Sequence, residues 1–175
     1  MGTGKEGRTG ADGCIWQGSE MIKKSVDMST TKYPAHATVT ALFSVTPERV
    51  FDAFLDTTLI GQFMFGPALR DETIVSLTNE PRVGGTFSYV VSRQGVELDH
   101  AGRYVEIERP HHLAFTWAVR PDEPGDGSMV VIDIAPIIDG CELTLTHQMP
   151  AEYKDFISKS KEAWGKMLDK LTEVL

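Results

Sequence analysis

The chain has 175 residues, 41% of them hydrophobic and 24% charged, and 17 Lys plus Arg against 25 Asp plus Glu give a formal net charge of -8. These values describe one globular domain with enough residues for a full core, and the acidic balance argues against a nucleic-acid backbone or an anionic membrane face as partner. Two cysteines without repeated spacing, Cys14 and Cys141, argue against a disulfide framework or a Cys-based zinc site, and there is no apolar stretch of about 18 residues to span a bilayer. A cytoplasmic protein with two free thiols is the expectation.

Residues 1–27 are rich in glycine and mixed charge and show no sustained period, which predicts a mobile leader. The folded domain is placed over residues 34–175, leaving 1–33 outside it. In "ATVTALFSV" the residues Val39, Ala41, Phe43 and Val45 alternate as in a half-buried strand. Thr46-Pro47 supplies an N-cap and a proline at the first helical position, opening a short helix whose Val50, Phe51, Phe54 and Leu55 share a face. "TTLIGQFM" predicts a second short helix ending before Gly66-Pro67.

Six strand-like runs follow: "ETIVSL", "TFSYVV", Val96 to Ile107, "HLAFTWAV", "SMVVIDIAP" and "CELTLTHQM". The loop "RPDEPGDG" separates the fourth from the fifth, and Asp139-Gly140 marks a hairpin turn between the last two. From Pro150 onward Tyr153, Phe156, Ile157, Trp164, Met167, Leu168, Leu171 and Leu175 recur at helical spacing, predicting one long amphipathic helix. Gly165 inside it costs about 1 kcal/mol against alanine, which suggests that it permits close packing on the sheet. The order β-α-α-β6-α predicts an α+β protein: a curved antiparallel sheet wrapped on a long C-terminal helix, in the manner of a grip.

Gly84-Gly85 is the pair that most resembles a ligand cradle. A phosphate loop needs strand, glycine turn and helix in that order, but here the glycines precede a strand, with no helix and no Lys-Ser/Thr after them. The pair is read as a bend at the start of a strand or a bulge.

The stretches "SVTPERVFDAF", "PRVGGTFSYVV", "GRYVEIERPHHLAFTW", "GCELTLTHQM" and "AWGKMLDKL" lie in order over about residues 37 to 175. Together they resemble the family of activator of Hsp90 ATPase homologues, within the START-like, Bet v 1-like (SRPBCC) superfamily. Tyr104 departs from the pattern, standing where the family is usually aliphatic. The resemblance implies a helix-grip fold with an elongated apolar cavity between sheet and helix. It does not fix a ligand, since superfamily members bind lipids, sterols and polyketides and a few do chemistry.

Strand parity selects the side chains that would face such a cavity. They are Phe43, Phe87, Tyr89, Leu113, Phe115, Trp117, Val130, Ile132, Leu143, Leu145 and Met149, with Tyr153, Phe156 and Trp164 opposite them. Stripes of this kind equally describe a solid core. His147 shares the inward parity of Leu143 and Leu145, so it is read either as a ligand-orienting or acid/base group, or as a histidine satisfied by backbone or solvent. Tyr89 and His147 are the expected polar anchors. His111 and His112 are adjacent in a strand and cannot chelate one ion, and His100 has no metal partner spacing, so no metal or cofactor is expected. Glu97 and Asp99 share a parity and could form a carboxylate pair. No Gly-x-Ser-x-Gly elbow or paired cysteine nucleophile is present, so no catalytic residues are assigned.

Three functions remain. The favoured one is a binding or carrier module for a small apolar ligand, lipid-, sterol- or polyketide-like. The second, implied by the resemblance, is an Hsp90-activator-like or stress-related domain with a protein partner. The third is a cyclase or dehydratase-like enzyme using His147 or a tyrosine.

Overall fold

The computed structural model describes residues 32–120 and 127–175. The expected leader up to residue 31, with Cys14, and the loop residues 121–126 lie outside the described residues.

Strand β1 (Ala35–Phe43) leads to α1 (Pro47–Ala53) and α2 (Thr57–Phe63). Then come β2 (Thr73–Asn79), β3 (Thr86–Arg93), β4 (Val96–Glu108), β5 (His112–Arg120), β6 (Ser128–Ile137) and β7 (Gly140–Met149). A 3-10 turn (Ala151–Phe156) and helix α3 (Ile157–Val174) complete the order. All strand pairs are antiparallel, in one seven-stranded sheet ordered β1-β7-β6-β5-β4-β3-β2.

The local signals act as the residues require. The Thr46 side chain accepts from the Arg49 N–H and Pro47 opens α1, while Asp56 caps α2 by accepting from the Thr58 N–H at 2.8 Å. Asp139 turns the β6–β7 hairpin with a φ of 64°. Register shifts in β2 at Ile74/Ser76 and in β4 at Tyr104/Glu106 each insert one extra residue against the partner strand, the signature of a bulge that bends and twists a strand.

The glycine pair is architecture. Gly84 has a φ of 84° and donates its N–H to the Tyr104 carbonyl at 2.8 Å, and the Tyr104 N–H donates to the Gly85 carbonyl at 2.9 Å. The pair therefore extends the β3–β4 ladder by one register step. A Cβ on Gly85 would stand 2.1 Å from the Glu80 carbonyl oxygen, so no other residue fits.

Helix α3 buries Trp164, Met167, Leu168 and Leu171 in the same cluster as Phe43, Leu113, Ile132, Leu143 and Leu145 of the sheet. Two expectations need correction here. The C-terminal segment is not one α-helix from Pro150: Ala151–Phe156 form a tight 3-10 turn, and the α-helix begins at Ile157. Tyr153 and Phe156 thus belong to that turn. Gly165 does not serve close packing, because a Cβ built on it would meet nothing within 4 Å.

Candidate functional site: an aromatic pocket beside His147

The space between sheet and α3 is filled over much of its length. Phe43, Leu113, Ile132 and Leu145, all expected to line a cavity, are instead packed core. The elongated cavity implied by the resemblance is here represented by two hollows that share one wall.

The larger hollow, of about 190 Å³, lies where β7 passes into the 3-10 turn. Trp117, Val119, Ser128, His147 and Met149 come from three adjacent strands, β5, β6 and β7. The register pairs Trp117 with Ser128 and Val130 with His147, which puts these inward side chains on neighbouring rows. Tyr153 and Phe156 close the end from the 3-10 turn, with Gly127 and Pro150 at the rim. The smaller hollow, about 10 Å³, is lined by Phe54, Met64, Phe87, Tyr89, Tyr104, Phe115 and Trp117. Around it Phe87 stacks on Tyr89 with centroids 4.8 Å apart and meets Phe115 edge-on at 5.5 Å.

Of the residues expected to face a cavity, Trp117, His147, Met149, Tyr153 and Phe156 line the larger hollow, and Phe87, Tyr89, Phe115 and again Trp117 the smaller. Trp164 lines neither, but its indole holds His147. Ser128, Val119 and Tyr104 were missed. Ser128 and Val119 have the parity of Val130 and Trp117, but each stands at a strand end beside the loop, where alternation has too few neighbours to be read.

His147 is 7% exposed and fully committed. Its Nδ1 lies 3.3 Å from the indole nitrogen of Trp164 and 2.8 Å from the Ser160 hydroxyl, and its Nε2 lies 2.7 Å from the Ser128 hydroxyl. An indole N–H can only donate, so Nδ1 accepts and the ring proton sits on Nε2. Nε2–H then donates to the Ser128 hydroxyl, whose own O–H donates to the Trp117 carbonyl at 2.8 Å. Burial pushes the imidazole down to about 4, so the ring is neutral at ordinary pH. With Nε2 protonated, His147 cannot accept a proton from Ser128, and the Ser–His pair is not a nucleophile–base pair. It ties β5, β6, β7 and α3 together behind the pocket wall.

Tyr89 is also buried and committed: its hydroxyl lies 3.3 Å from that of Tyr104, and burial raises both phenols. Asp99, suggested as one half of a carboxylate pair with Glu97, has partners of its own. It accepts from Ser88 at 2.7 Å and from Arg120 at 2.8 Å, because the antiparallel register sets Arg120 opposite it. His111 Nδ1–H donates to the Ile134 carbonyl at 3.2 Å, and His112 pairs with Asp133 at 2.6 Å on the outer face. Among the described residues no group of three His, Cys, Asp or Glu side chains is placed to hold a metal. Cys141 is free and buried. No described helix is long and apolar enough to cross a membrane.

A curved antiparallel sheet gripping a C-terminal helix, with an apolar hollow at one end, defines a helix-grip protein of the Bet v 1-like kind. The family profile described as activator of Hsp90 ATPase homolog 1-like protein matches residues 44–175, and the chain belongs to that family. Among solved structures it is similar to protein CV1439 from Chromobacterium violaceum, with 23% identity and a TM-score of 0.69, over 81% of this chain and 96% of that one. It is also similar to an AHSA1-like protein from Aeromonas hydrophila, with 19% identity and a TM-score of 0.64, over 79% and 90% of the two chains. CalU16 from Micromonospora echinospora shares 21% identity at a TM-score of 0.57, over 78% of this chain and 73% of that one. At these identities the likeness is one of fold. No curated protein matches the sequence.

Proposed function

We propose that residues 34–175 are a binding module for a small, uncharged, apolar molecule held in the pocket beside His147. The observation that carries this reading is the hollow of about 190 Å³ walled by Trp117, Tyr153, Phe156, Met149 and Val119. Two of its polar side chains, Ser128 and His147, already have partners, so burial and ring stacking supply most of the affinity. The neutral imidazole offers no charge to recognise an anion.

Native mass spectrometry of the purified protein, followed by thermal shifts against aromatic and lipid ligands, tests this. A retained mass or a concentration-dependent rise in Tm supports it. A bare mass and an unchanged Tm across both ligand classes overturn it.

A protein-binding reading has its own observation. Ile138 is 92% exposed at the β6–β7 hairpin tip, with Leu42 and Ile137 also exposed on the outer sheet face. Charging Ile138 would abolish complex formation with such a partner and leave small-molecule binding unchanged.

A further inference from the structure

Trp117 borders both hollows, the outer pocket on one side and the inner void on the other. Its ring is 7% exposed and lies 5.3 Å from Trp164, 5.6 Å from His100 and 6.0 Å from Phe87, centroid to centroid.

The inner void differs from the outer pocket in its polar lining. Tyr89 is 3% exposed and Tyr104 2%. Both hydrogens of the Asn79 amide are used, one on the Leu55 carbonyl at 2.8 Å and one on the Tyr104 oxygen at 3.1 Å. The two phenols share a single hydrogen bond at 3.3 Å. Two phenolic protons and one bond between them leave one O–H with no acceptor among the described residues. Buried donors are normally matched, so this one is an exception that asks for an acceptor. The void, about 10 Å³, has at most room for a water-sized atom group.

We propose that Trp117 is the specificity-determining divider of a single binding site, with the Tyr89–Tyr104 phenols as its deep, hydrogen-bond-donating end. This rests on the outer pocket being a ligand site. As the indole stands, the outer pocket admits only small ligands: an apolar hollow of about 150 Å³ takes one benzene ring, so about 190 Å³ takes one ring and at the limit two fused rings. With the indole removed, the two hollows join. The enlarged site then takes a longer, uncharged aromatic ligand whose leading group is a carbonyl oxygen, which accepts the spare phenolic proton. Among the described residues no Lys or Arg lines either hollow, which argues against a carboxylate as that group.

The test compares the wild-type protein with Trp117→Ala by titration calorimetry against naphthalene, flavone and flavan, the last two differing in the carbonyl. Wild type is expected to bind naphthalene and to take flavone at least tenfold more weakly. Trp117→Ala is expected to bind flavone at least tenfold more tightly than wild type does, and to prefer flavone to flavan at least tenfold. Trp117→Leu, which keeps more core volume, is measured in parallel and is expected to move in the same direction if the alanine variant does not fold. Unchanged flavone affinity in both variants overturns Trp117 as divider. Equal binding of flavone and flavan by the variants overturns the phenols as donors. Failure of wild type to bind any of the three overturns the pocket reading itself, a different result from either of these.

Discussion

The indole N–H of Trp164 meets Nδ1 of His147 at 3.3 Å, and that contact sets the protonation of the whole buried network. Protonating the ring would turn Nδ1 from an acceptor into a donor facing another donor. Removing the ring strands the Trp164 N–H and the Ser160 hydroxyl, while Ser128 keeps its bond to the Trp117 carbonyl. His147→Ala is therefore expected to lose about 3 kcal/mol of stability, from unmatched buried donors plus a cavity. Urea unfolding at pH 7 measures it, and a loss below about 1 kcal/mol would show that the network closes without the ring.

Acid should weaken the fold in a defined window. Burial is the chief cause holding both His100 and His147 down to about 4, against an ordinary value of 6.5. Between those values the unfolded chain binds protons that the folded chain does not, so stability falls as pH drops from 6.5 toward 4, by roughly 3 kcal/mol per histidine at the bottom of the window. His112 has the opposite sign. Partial burial works against its charge, but the carboxylates of Asp133, Glu106 and Glu108 outweigh that and raise its pKa. Its contribution is present below 6.5 and is lost as pH rises through the folded value. Urea midpoints should thus fall on the acid side, and His112→Asn should remove only the decline on the alkaline side. A midpoint unchanged between pH 6.5 and 4.5 would mean that the buried rings protonate freely.

Glu72, with a fully buried side chain, accepts from Arg70 at 3.0 Å, from Arg93 at 2.7 and 3.1 Å and from the Gly66 N–H at 3.0 Å. Burial alone would raise its pKa, but these donors together hold the carboxyl below its usual range. Breaking one partner of a buried pair leaves charge uncompensated, so Glu72→Gln should cost about 3 kcal/mol by urea unfolding. The loss should be largest near neutral pH and fade in acid, as the wild-type carboxylate is itself protonated.

Two glycines should respond in opposite ways. Gly165→Ala fills open space on α3 and improves helix propensity, raising stability by about 1 kcal/mol without changing ligand affinity. Gly102→Ala would place a Cβ 1.9 Å from the Thr116 carbonyl oxygen and 2.5 Å from the Phe87 ring, so it should cost more than about 3 kcal/mol or prevent folding. Matched denaturation curves of the two variants check both signs.

The sequence by itself determined the element order, because each element is written locally. Period-two alternation marks the strands, Thr46-Pro47 caps α1, and Asp139-Gly140 turns the last hairpin. It also determined which side chains turn inward, since parity follows from the pleat, and this put Trp117, His147, Tyr89 and Phe87 on the right face. Tertiary structure alone decided which inward side chains border empty space. Phe43, Leu113, Ile132 and Leu145 obey the same parity as Trp117 but lie in the packed core shared with α3, while the hollow opens beside Trp117, where Tyr153 and Phe156 of the 3-10 turn line it. A hollow is a deficit of volume among residues far apart in the chain, and no local period encodes it. The same holds for His147: its ring proton is placed by Trp164, 17 residues away in sequence, and only the packing of α3 on the sheet brings that donor within reach.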